Sequence, residues 1–295
     1  MSTPDASSIR RIALLHPGEM GSAVGGVLQR RGLEVRWVGN GRSAASRQRA
    51  QAAGLTEVAD LRSALSDADV VLSIVPPHAA LEVAQSVAAL HFTGLYIDAN
   101  AVAPDTARQI ETIVREGGAR FVDGGIIGLA PPSTGSGTRL YLSGDADVLP
   151  ALVAALHGDE LGVHALPGGG GAASALKLAY AAWTKGSIAL LAAIQAFAEA
   201  EGVSAALKDE WDLSQPGLSS RAQSVTGSAR KAWRWVGEME EIAAAFQAQA
   251  LPGGFHEAAA DIFWREHGFK DAAVPPSLSQ LIAALQIKRA DDRSV

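Results

Sequence analysis

The stretch RIALLHPGEMG, residues 11–21, joins an apolar run to a short turn that contains two glycines. Its first part, Arg11–His16, predicts a buried β-strand, because a short apolar run that ends at a Pro-Gly turn is typical of one. Met20–Arg31 then carries apolar residues at helical spacing, and Glu34–Val38 alternates apolar and polar residues as a second strand does. The stretch and its surroundings therefore predict a strand–helix–strand unit of the type that binds dinucleotides.

The turn after the first strand departs at one position from the dinucleotide fingerprint G-x-G-x-x-G. The three aligned positions hold His16, Gly18 and Gly21. Gly18 would let the backbone approach a pyrophosphate, Gly21 would allow close packing of helix on strand, and the helix N-terminus offers N–H groups. We expect the backbone of His16, rather than its imidazole, to serve the cofactor; an ordinary strand-to-helix turn is the alternative. The residues predicted to bind the cofactor here are Pro17, Gly18, Glu19, Met20 and Gly21.

The end of the second strand distinguishes between the two nicotinamide cofactors. NAD enzymes usually place an acid there for the ribose hydroxyls, whereas residues 39–43 are GNGRS and contain none. Arg42 and Ser43, with Asn40 beside them, are instead expected to bind a 2′-phosphate, Arg42 through a charge-assisted pair. The alternatives are that Arg42 is a solvated loop cation and that Ser43 only caps the next helix. We therefore predict NADP(H) as the cofactor, with NAD(H) as the less favoured choice.

The pattern of predicted strands and helices changes near residue 167. Before it, strand and helix signals alternate, as in a parallel α/β sheet; after the glycines of Gly168–Gly171, strand signals vanish. Ala172–Glu201 is a long helical stretch dominated by Ala and Leu, which would span roughly 45 Å at 1.5 Å per residue. The predicted domains are residues 1–167, an α/β domain that binds NAD(P), and residues 168–295, an all-helical domain.

Composition excludes several classes of partner. A net charge of -6 argues against nucleic acid, and the absence of cysteine excludes disulfides and thiolate metal sites. No residue cluster has a metal-ligand spacing. Met1–Ser8 lacks the apolar core of a signal peptide, and the apolar run Gly186–Ala198, at thirteen residues, is too short to span a bilayer. We expect a cytoplasmic protein without nucleic-acid, membrane or metal partners.

Four segments resemble the β-hydroxyacid dehydrogenase and 6-phosphogluconate dehydrogenase superfamily. HPGEMG at 16–21 looks like its GxGxMG loop, and DANAVAP at Asp98–Pro104 is similar to its segment beside the nicotinamide. FVDGGIIG at Phe121–Gly128 looks like its substrate-binding strand end, and GGGGAASALKLAY at Gly168–Tyr180 like its catalytic-lysine helix. The helical tail at Ala232–Phe246 resembles a subgroup with a divergent C-terminal domain. The resemblance implies a Rossmann domain joined by a long interdomain helix to an all-α domain, dimerisation through that domain, and reversible oxidation of a hydroxy acid.

The resemblance assigns roles residue by residue. Lys177 takes the catalytic-lysine position, where it would accept the hydroxyl proton during oxidation and return it during reduction; a surface cation on a helix is the alternative. Asn100 would contact cofactor or substrate, unless it forms an Asx turn. Gly124 and Gly125 would offer N–H groups to an anion, unless they form a strand-end turn. The strand that ends at Val75, Pro76 and Pro77 is also expected to border the cofactor. The predicted substrate-binding residues are Asn100, Gly124, Gly125, Ile126, Ile127, Lys177, Ala181 and Thr184.

Departures from the family pattern leave the substrate open. Ile127 stands where the hydroxyacid enzymes commonly have serine, so we expect a less polar pocket. Tyr180 and Ala181 stand one turn after Lys177, where the family has Asn. Tyr180 is a candidate proton donor; a core aromatic is the alternative. Further candidate contacts lie in the helical domain, although Arg234 and Glu238 could simply pair. These candidates are Trp233, Arg234, Trp235, Glu238 and His256.

Three functions remain open from the sequence. The leading hypothesis is an NADP(H)-dependent dehydrogenase or reductase that acts on a small hydroxy acid or a related carbonyl compound. The second keeps the fold and changes the reaction to imine or enamine reduction, because the pocket has lost polar family residues. The third is a non-catalytic NADP(H)-binding protein.

Overall fold

A computed structural model of the chain describes residues 6–131 and 137–287. The chain divides into two compact units, Met1–Leu178 and Ala179–Val295, and the division falls inside one continuous helix. In the described part of the first unit, the strands are β1 Arg11–Leu15, β2 Glu34–Val38, β3 Thr56–Val58, β4 Val70–Ser73, β5 Leu95–Asp98, β6 Arg120–Ile127, β7 Arg139–Gly144 and β8 Gly162–Ala165. The helices begin with α1 Glu19–Arg30, α2 Ala44–Ala52, α3 Leu61–Leu65, α4 Ala80–Ala88, α5 Pro104–Glu116, α6 Leu149–Leu156 and α7 Ala172–Ala200. They continue with α8 Ser204–Ser214, α9 Leu218–Gln223, α10 Ala229–Ala232, α11 Val236–Ala248, α12 Gly254–Arg265 and α13 Leu278–Leu285.

The strands of the first unit form one sheet in the order β3-β2-β1-β4-β5-β6-β7-β8. All neighbours pair in parallel except β6 and β7, which pair antiparallel. Chain order reverses between β1 and β4, the position where open α/β sheets leave a crevice at the carboxyl ends of their strands. The predicted α/β Rossmann domain is confirmed, and so is the helical region that follows it.

The sheet is covered on both faces, which is why its central strands have little polar content. One face packs Leu14, Leu28 and Trp37 into the larger core cluster. The other packs Tyr96, Ile110 and Phe121. Strands buried on both faces become continuous apolar runs, as IALL in β1 and VVLS in β4 illustrate.

Three elements of the first unit are not predicted from the sequence. β3 is three residues long and mostly exposed, and β8 is four residues long with only Val163 buried. α6 is apolar around most of its circumference, so it lacks the polar face that marks a surface helix. In each case the tertiary neighbours, rather than the local pattern, decide the structure.

The start of α7 is fixed to the sheet by buried polar side chains. The Asp123 carboxylate accepts hydrogen bonds from Ser174 N at 2.9 Å and Ser174 Oγ at 2.6 Å. Ser143 Oγ accepts one from Ala173 N at 3.0 Å. Gly125 of β6 allows the close approach, because a Cβ at Gly125 would lie 2.6 Å from the Ala173 carbonyl oxygen. The first turn of α7 is therefore capped by the sheet itself.

The second unit is helical in its described residues. Leu191 and Ala192 of α7 pack with Val225, Leu281 and other small or branched side chains. Glu238 forms an ion pair with Lys185, whose Nζ lies 5.4 Å from the Trp235 ring centroid. Arg234 lies between α10 and α11, and its guanidinium stacks over the neighbouring Trp233 ring at 5.4 Å.

α7 is also the one described helix that is long and apolar enough to cross a membrane by length and composition. It has 29 residues, so it extends well beyond the thirteen-residue apolar run seen in the sequence. About a third of its most apolar window is buried (33%). The core helix of a water-soluble protein meets the same criterion, so length and composition alone decide nothing here.

Replacing Gly125 by alanine should destabilise the first unit. The new Cβ would press on the Ala173 backbone at 2.6 Å, so α7 or β6 has to shift. We expect a loss of about 1–3 kcal/mol in the free energy of unfolding, measured by urea unfolding. The control is Gly169→Ala in the loop before α7, where a Cβ would meet nothing within 4 Å. Equal stability of the two variants would contradict the packing argument.

Candidate functional site

The turn between β1 and α1 retains a glycine-type conformation without its first glycine. His16 has a φ of 67°, in the left-handed region that glycine adopts most easily. Gly18 N donates to the His16 carbonyl oxygen at 2.9 Å. A Cβ at Gly21 would lie 2.6 Å from that same oxygen, so Gly21 is required by the packing of helix on turn.

Gly18 is different, because the protein itself does not require it. A Cβ at Gly18 would meet nothing within 4 Å. Gly18 is the N-cap residue of α1, and no side-chain hydrogen bond caps this N-terminus. The open space therefore lies where backbone N–H groups and the positive end of a helix dipole favour a phosphate. Residues 16–21 fit a pyrophosphate-binding turn.

The end of β2 lies next to this turn in space. Arg42 Nη2 is 2.8 Å from His16 Nε2, although the two residues are 26 positions apart in the chain. Ser43 Oγ accepts a hydrogen bond from Ser46 N at 3.3 Å. Ser43 therefore caps α2, which is the alternative role predicted for it. Asn40 is exposed in the same loop.

A cavity of about 400 Å³ opens beside the His16–Arg42 contact. Its walls are mostly apolar, and its one carboxylate belongs to Glu82 of α4. Such a cavity at the carboxyl ends of β1 and β2 fits the adenosine half of a dinucleotide. Its lining residues are Leu14, Leu15, His16, Val38, Arg42, Leu61, Ala79, Glu82, Val83 and Ser86.

Sequence reasoning missed an acid that the fold brings to the end of β2. Glu57 of β3 lies against Gly39, where an added Cβ would clash with the Glu57 side chain. Glu57 is engaged in an ion pair with Arg47, which also donates to the Gly39 carbonyl oxygen at 2.6 Å. Because β3 is not evident from the sequence, neither was this carboxylate. Its charge is matched by Arg47.

Asn100, which follows β5, ties two strand ends together. Its Oδ1 accepts a hydrogen bond from Val75 N at 2.6 Å. Its Nδ2 donates to Asp98 Oδ1 at 2.5 Å and to Ser73 Oγ at 3.2 Å. The alternative of an Asx turn is therefore wrong. Both amide N–H groups are used within the protein, so a ligand would meet the backbone of Asn100 or the second lone pair of Oδ1.

Two buried carboxyl groups, Asp98 and Asp123, lie opposite each other on β5 and β6. Burial, followed by the charge of Asp123, raises the pKa of Asp98 to about 8, while Lys177 and the hydrogen bonds from Asn100 oppose the shift. Burial also raises the pKa of Asp123, against the hydrogen bonds donated by Ser174 and Ser143. Asp98 is therefore mostly protonated near neutral pH, and the pair carries less than two charges.

Lys177 lies one turn along α7 from Ser174, beside the glycines of β6. A Cβ at Gly125 would lie 3.3 Å from Lys177 Cβ. Lys177 is half-buried, and its charge is felt at Asp98. Gly124 and Gly125 lie inside β6, and neither has a positive φ, so the alternative of a strand-end turn is wrong. Their small size is explained by the close approach of α7 and of the chain after β5.

The remaining first-unit candidates border the same sheet edge. Ile126 and Ile127 are each 6% exposed, and Val75 is buried. Pro76 is exposed, and Pro77 begins a short 3-10 turn before α4.

Tyr180, Ala181, Thr184 and His256 belong to the second unit. Tyr180 is 48% exposed, so its alternative as a core aromatic is wrong. Ala181 is buried, and Thr184 Oγ1 donates to the Tyr180 carbonyl oxygen at 3.0 Å in the same helix. His256 is buried against the Phe246 ring, with ring centroids 4.6 Å apart. In the ranges 6–131 and 137–287, no group of three or more His, Asp or Glu is placed to hold a metal ion.

The comparisons with known proteins match both parts of the chain. A family model for the NAD binding domain of 6-phosphogluconate dehydrogenase matches residues 11–158, which is half of the chain. A second model, a domain of unknown function (DUF1932), matches residues 198–265. An uncharacterized 28.5 kDa protein of Methanothermus fervidus is 31% identical over 118 residues, which are 40% of this chain and 45% of that protein. The match thus spans less than half of that relative.

Solved structures share the fold over most of the chain. A conserved protein of unknown function, whose structure revealed similarity with 3-hydroxyacid dehydrogenases, is 25% identical with a TM-score of 0.69 over 88% of this chain and 97% of that one. Mycobacterium tuberculosis 3-hydroxyisobutyrate dehydrogenase with L-serine is 19% identical, with a TM-score of 0.70 over 95% and 100%. A reductive aminase of Aspergillus terreus with NADPH and ethyl levulinate is 20% identical, with a TM-score of 0.57 over 93% and 98%.

At these identities the last two structures speak for the fold alone. The glycine turn and the sheet crevice, together with the match to the NAD binding domain, support a nicotinamide-dependent oxidoreductase. The match to the family model supplies the firmer statement, because it covers strands β1 to β7 and extends past the end of α6. The chain belongs to the family of the NAD binding domain of 6-phosphogluconate dehydrogenase.

Proposed function

We propose that the protein is an NADP(H)-dependent oxidoreductase that acts on a small hydroxy acid or a related carbonyl compound, with Lys177 as general acid and base. One observation carries this proposal. Lys177 lies against Gly125, beyond the Asp98–Asp123 pair, at the same carboxyl edge of the sheet as the open turn at Gly18. Ligands of open α/β sheets bind along that edge.

The preference for NADP(H) rests on the end of β2. Arg42 is the cation beside the adenosine cavity, and its guanidinium fits a 2′-phosphate. The nearby carboxylate of Glu57 is paired with Arg47, so it is not offered to ribose hydroxyls as the acid of NAD enzymes is. Arg42 is therefore available to a phosphate, because the Glu57 carboxylate at the end of β2 is already paired with Arg47.

The bound nicotinamide would supply the hydride acceptor or donor. The chain would supply the proton transfer: the neutral amine of Lys177 accepts the hydroxyl proton during oxidation, and its ammonium returns a proton during reduction. Asp123 acts at a distance by holding Ser174, and with it the first turn of the helix that carries Lys177. Tyr180 is retained as a second candidate proton donor.

Imine reduction is the second candidate function. The observation that favours it is the apolar strand end, where Ile127 is buried in place of the serine that the hydroxyacid enzymes commonly have. An apolar wall gives little help in binding a substrate carboxylate and suits a neutral or cyclic imine. The fold is shared with a reductive aminase that binds NADPH.

We also propose that the protein is a cytoplasmic homodimer that pairs through α7. Trp183, Leu190 and Phe197 follow one another at seven-residue intervals and are 65%, 60% and 66% exposed. Exposure of such a row of large apolar side chains to water is unfavourable. In a two-fold dimer, the same row of a second copy would bury it. Phe255 of α12, 79% exposed, borders the same surface. The lack of cysteine supports the compartment.

Replacing Lys177 by alanine should abolish most turnover. We expect kcat to fall about 10²- to 10⁴-fold, while the dissociation constant of NADPH stays unchanged. The assay couples NADP(H) absorbance to a panel of small hydroxy acids, their oxo acids and cyclic imines. Lys208→Ala, which removes an exposed ion pair on α8, is the control. Undiminished turnover in Lys177→Ala would contradict its role.

The same panel separates the candidate functions. Turnover of hydroxy acids supports the first, and turnover of cyclic imines alone supports the second. Tight NADPH binding without turnover of any compound would leave a non-catalytic NADP(H)-binding protein.

Replacing Arg42 by alanine should erase the cofactor preference. A charge-assisted contact to a phosphate is lost, so the dissociation constant of NADPH should rise about 10- to 150-fold, while that of NADH stays unchanged. Fluorescence titration of both cofactors measures this. Arg49→Ala, a neighbouring exposed cation on α2, should change neither value. Equal weakening of both cofactors in Arg42→Ala would argue against a 2′-phosphate site.

The double variant Trp183→Lys with Leu190→Lys should convert the dimer into a monomer, because charges would face each other across the two-fold axis. Sedimentation velocity measures the change, and circular dichroism checks that the fold is retained. Leu213→Lys, at an 81% exposed apolar residue of α8, is the matched control. A wild-type protein that sediments as a monomer would overturn the proposed dimer.

A further inference from the structure

The contact between His16 and Arg42 has a defined chemical direction. A guanidinium carries donors only, so His16 Nε2, 2.8 Å from Arg42 Nη2, must be the acceptor. The imidazole is then neutral, with its proton on Nδ1. Burial, and after it the charge of Arg42, lower the pKa of His16 to about 4, which agrees with a neutral ring at physiological pH.

The backbone alone does not explain a histidine at position 16. The left-handed φ of 67° suits glycine better, and the turn uses only the carbonyl oxygen of His16, which any residue supplies. What histidine adds is the ring, which contacts Arg42. Both side chains line the cavity at the carboxyl ends of β1 and β2.

We propose that His16 is a positioning residue, whose neutral imidazole orients the Arg42 guanidinium at the adenosine cavity so that the chain selects a 2′-phosphorylated adenosine. The inference rests on the proposed NADP(H) preference. Arg42 belongs to an exposed loop, where a long side chain samples many rotamers. One hydrogen bond to a ring fixed by the backbone turn reduces that freedom before the ligand arrives, and the other guanidinium N–H groups are left to meet a phosphate.

The charge state matters to this arrangement. A protonated imidazole could not accept from Arg42 and would repel it, so the pair requires the neutral ring. Glu82 lines the same cavity. His16 therefore offers the guanidinium a neutral partner, which leaves its positive charge uncompensated for the phosphate. A carboxylate partner would cancel that charge.

The test uses the full-length protein and two fragments, adenosine 2′,5′-bisphosphate and adenosine 5′-monophosphate, titrated by isothermal calorimetry. The variants are His16→Gly, Arg42→Ala and the double variant. We expect His16→Gly to weaken binding of the bisphosphate about 5- to 20-fold and to leave the monophosphate unchanged. In the Arg42→Ala background, His16→Gly should have no further effect. His16→Asn, which tolerates a positive φ but lacks the reach of the ring, should behave as His16→Gly does.

The outcomes separate this inference from the proposed cofactor preference. If the wild-type protein binds the two fragments equally, the NADP(H) preference fails, and the role of His16 fails with it. If Arg42→Ala abolishes the preference while His16→Gly and His16→Asn retain it, only the positioning role is overturned. Equal weakening of both fragments by His16→Gly would overturn it too, because the histidine would then serve the turn and not Arg42.

Discussion

The hydrogen bonds of a single buried carboxylate, Asp123, fix the geometry on which the candidate site depends. A buried charge is costly unless it is hydrogen-bonded, and a helix start is costly unless its N–H groups find acceptors. Both needs are met here, because Asp123 and Ser143 accept hydrogen bonds from the first turn of α7. Lys177 follows Ser174 by one helical turn and lies against Gly125 of β6. The register of the helix, and hence the position of the lysine, follows from a bond formed inside the core.

The same carboxylate also determines the state of its neighbour. Asp98 lies opposite Asp123 in the sheet. Two buried carboxylates at such short range do not both ionise easily. Asp123 has the better hydrogen bonds, so Asp98 is the one that keeps a proton near neutral pH. Its amide partner Asn100 then continues the network to Ser73 and Val75. A row of buried polar groups thus runs from Ser73 of β4 to Ser174 of α7, just inside the carboxyl edge.

Local pattern predicted much of this sheet and little of this network. β2 has the predicted bounds, Glu34–Val38, because its apolar and polar residues alternate clearly between turn residues. Nothing in the local pattern indicates that Asp98, at the end of β5, pairs with Asp123 inside β6, since the register between strands is set by tertiary packing. For the same reason Arg42 and His16, 26 residues apart, gave no sign of contact, and the unpredicted β3 hid Glu57.

The glycines of the site show how a structure separates packing from function. Gly21 and Gly125 are explained by the protein, because a Cβ at either would press on a backbone carbonyl oxygen. Gly18 has no such explanation: space is open around it, and its φ of -67° is available to any residue. A glycine that neither packing nor backbone conformation requires, at the start of a helix, indicates that something outside the chain must come close. His16 is the converse case, a side chain retained where the conformation favours glycine. Both departures from what the bare fold demands occur within three residues of each other, which is where the phosphates of a dinucleotide would lie.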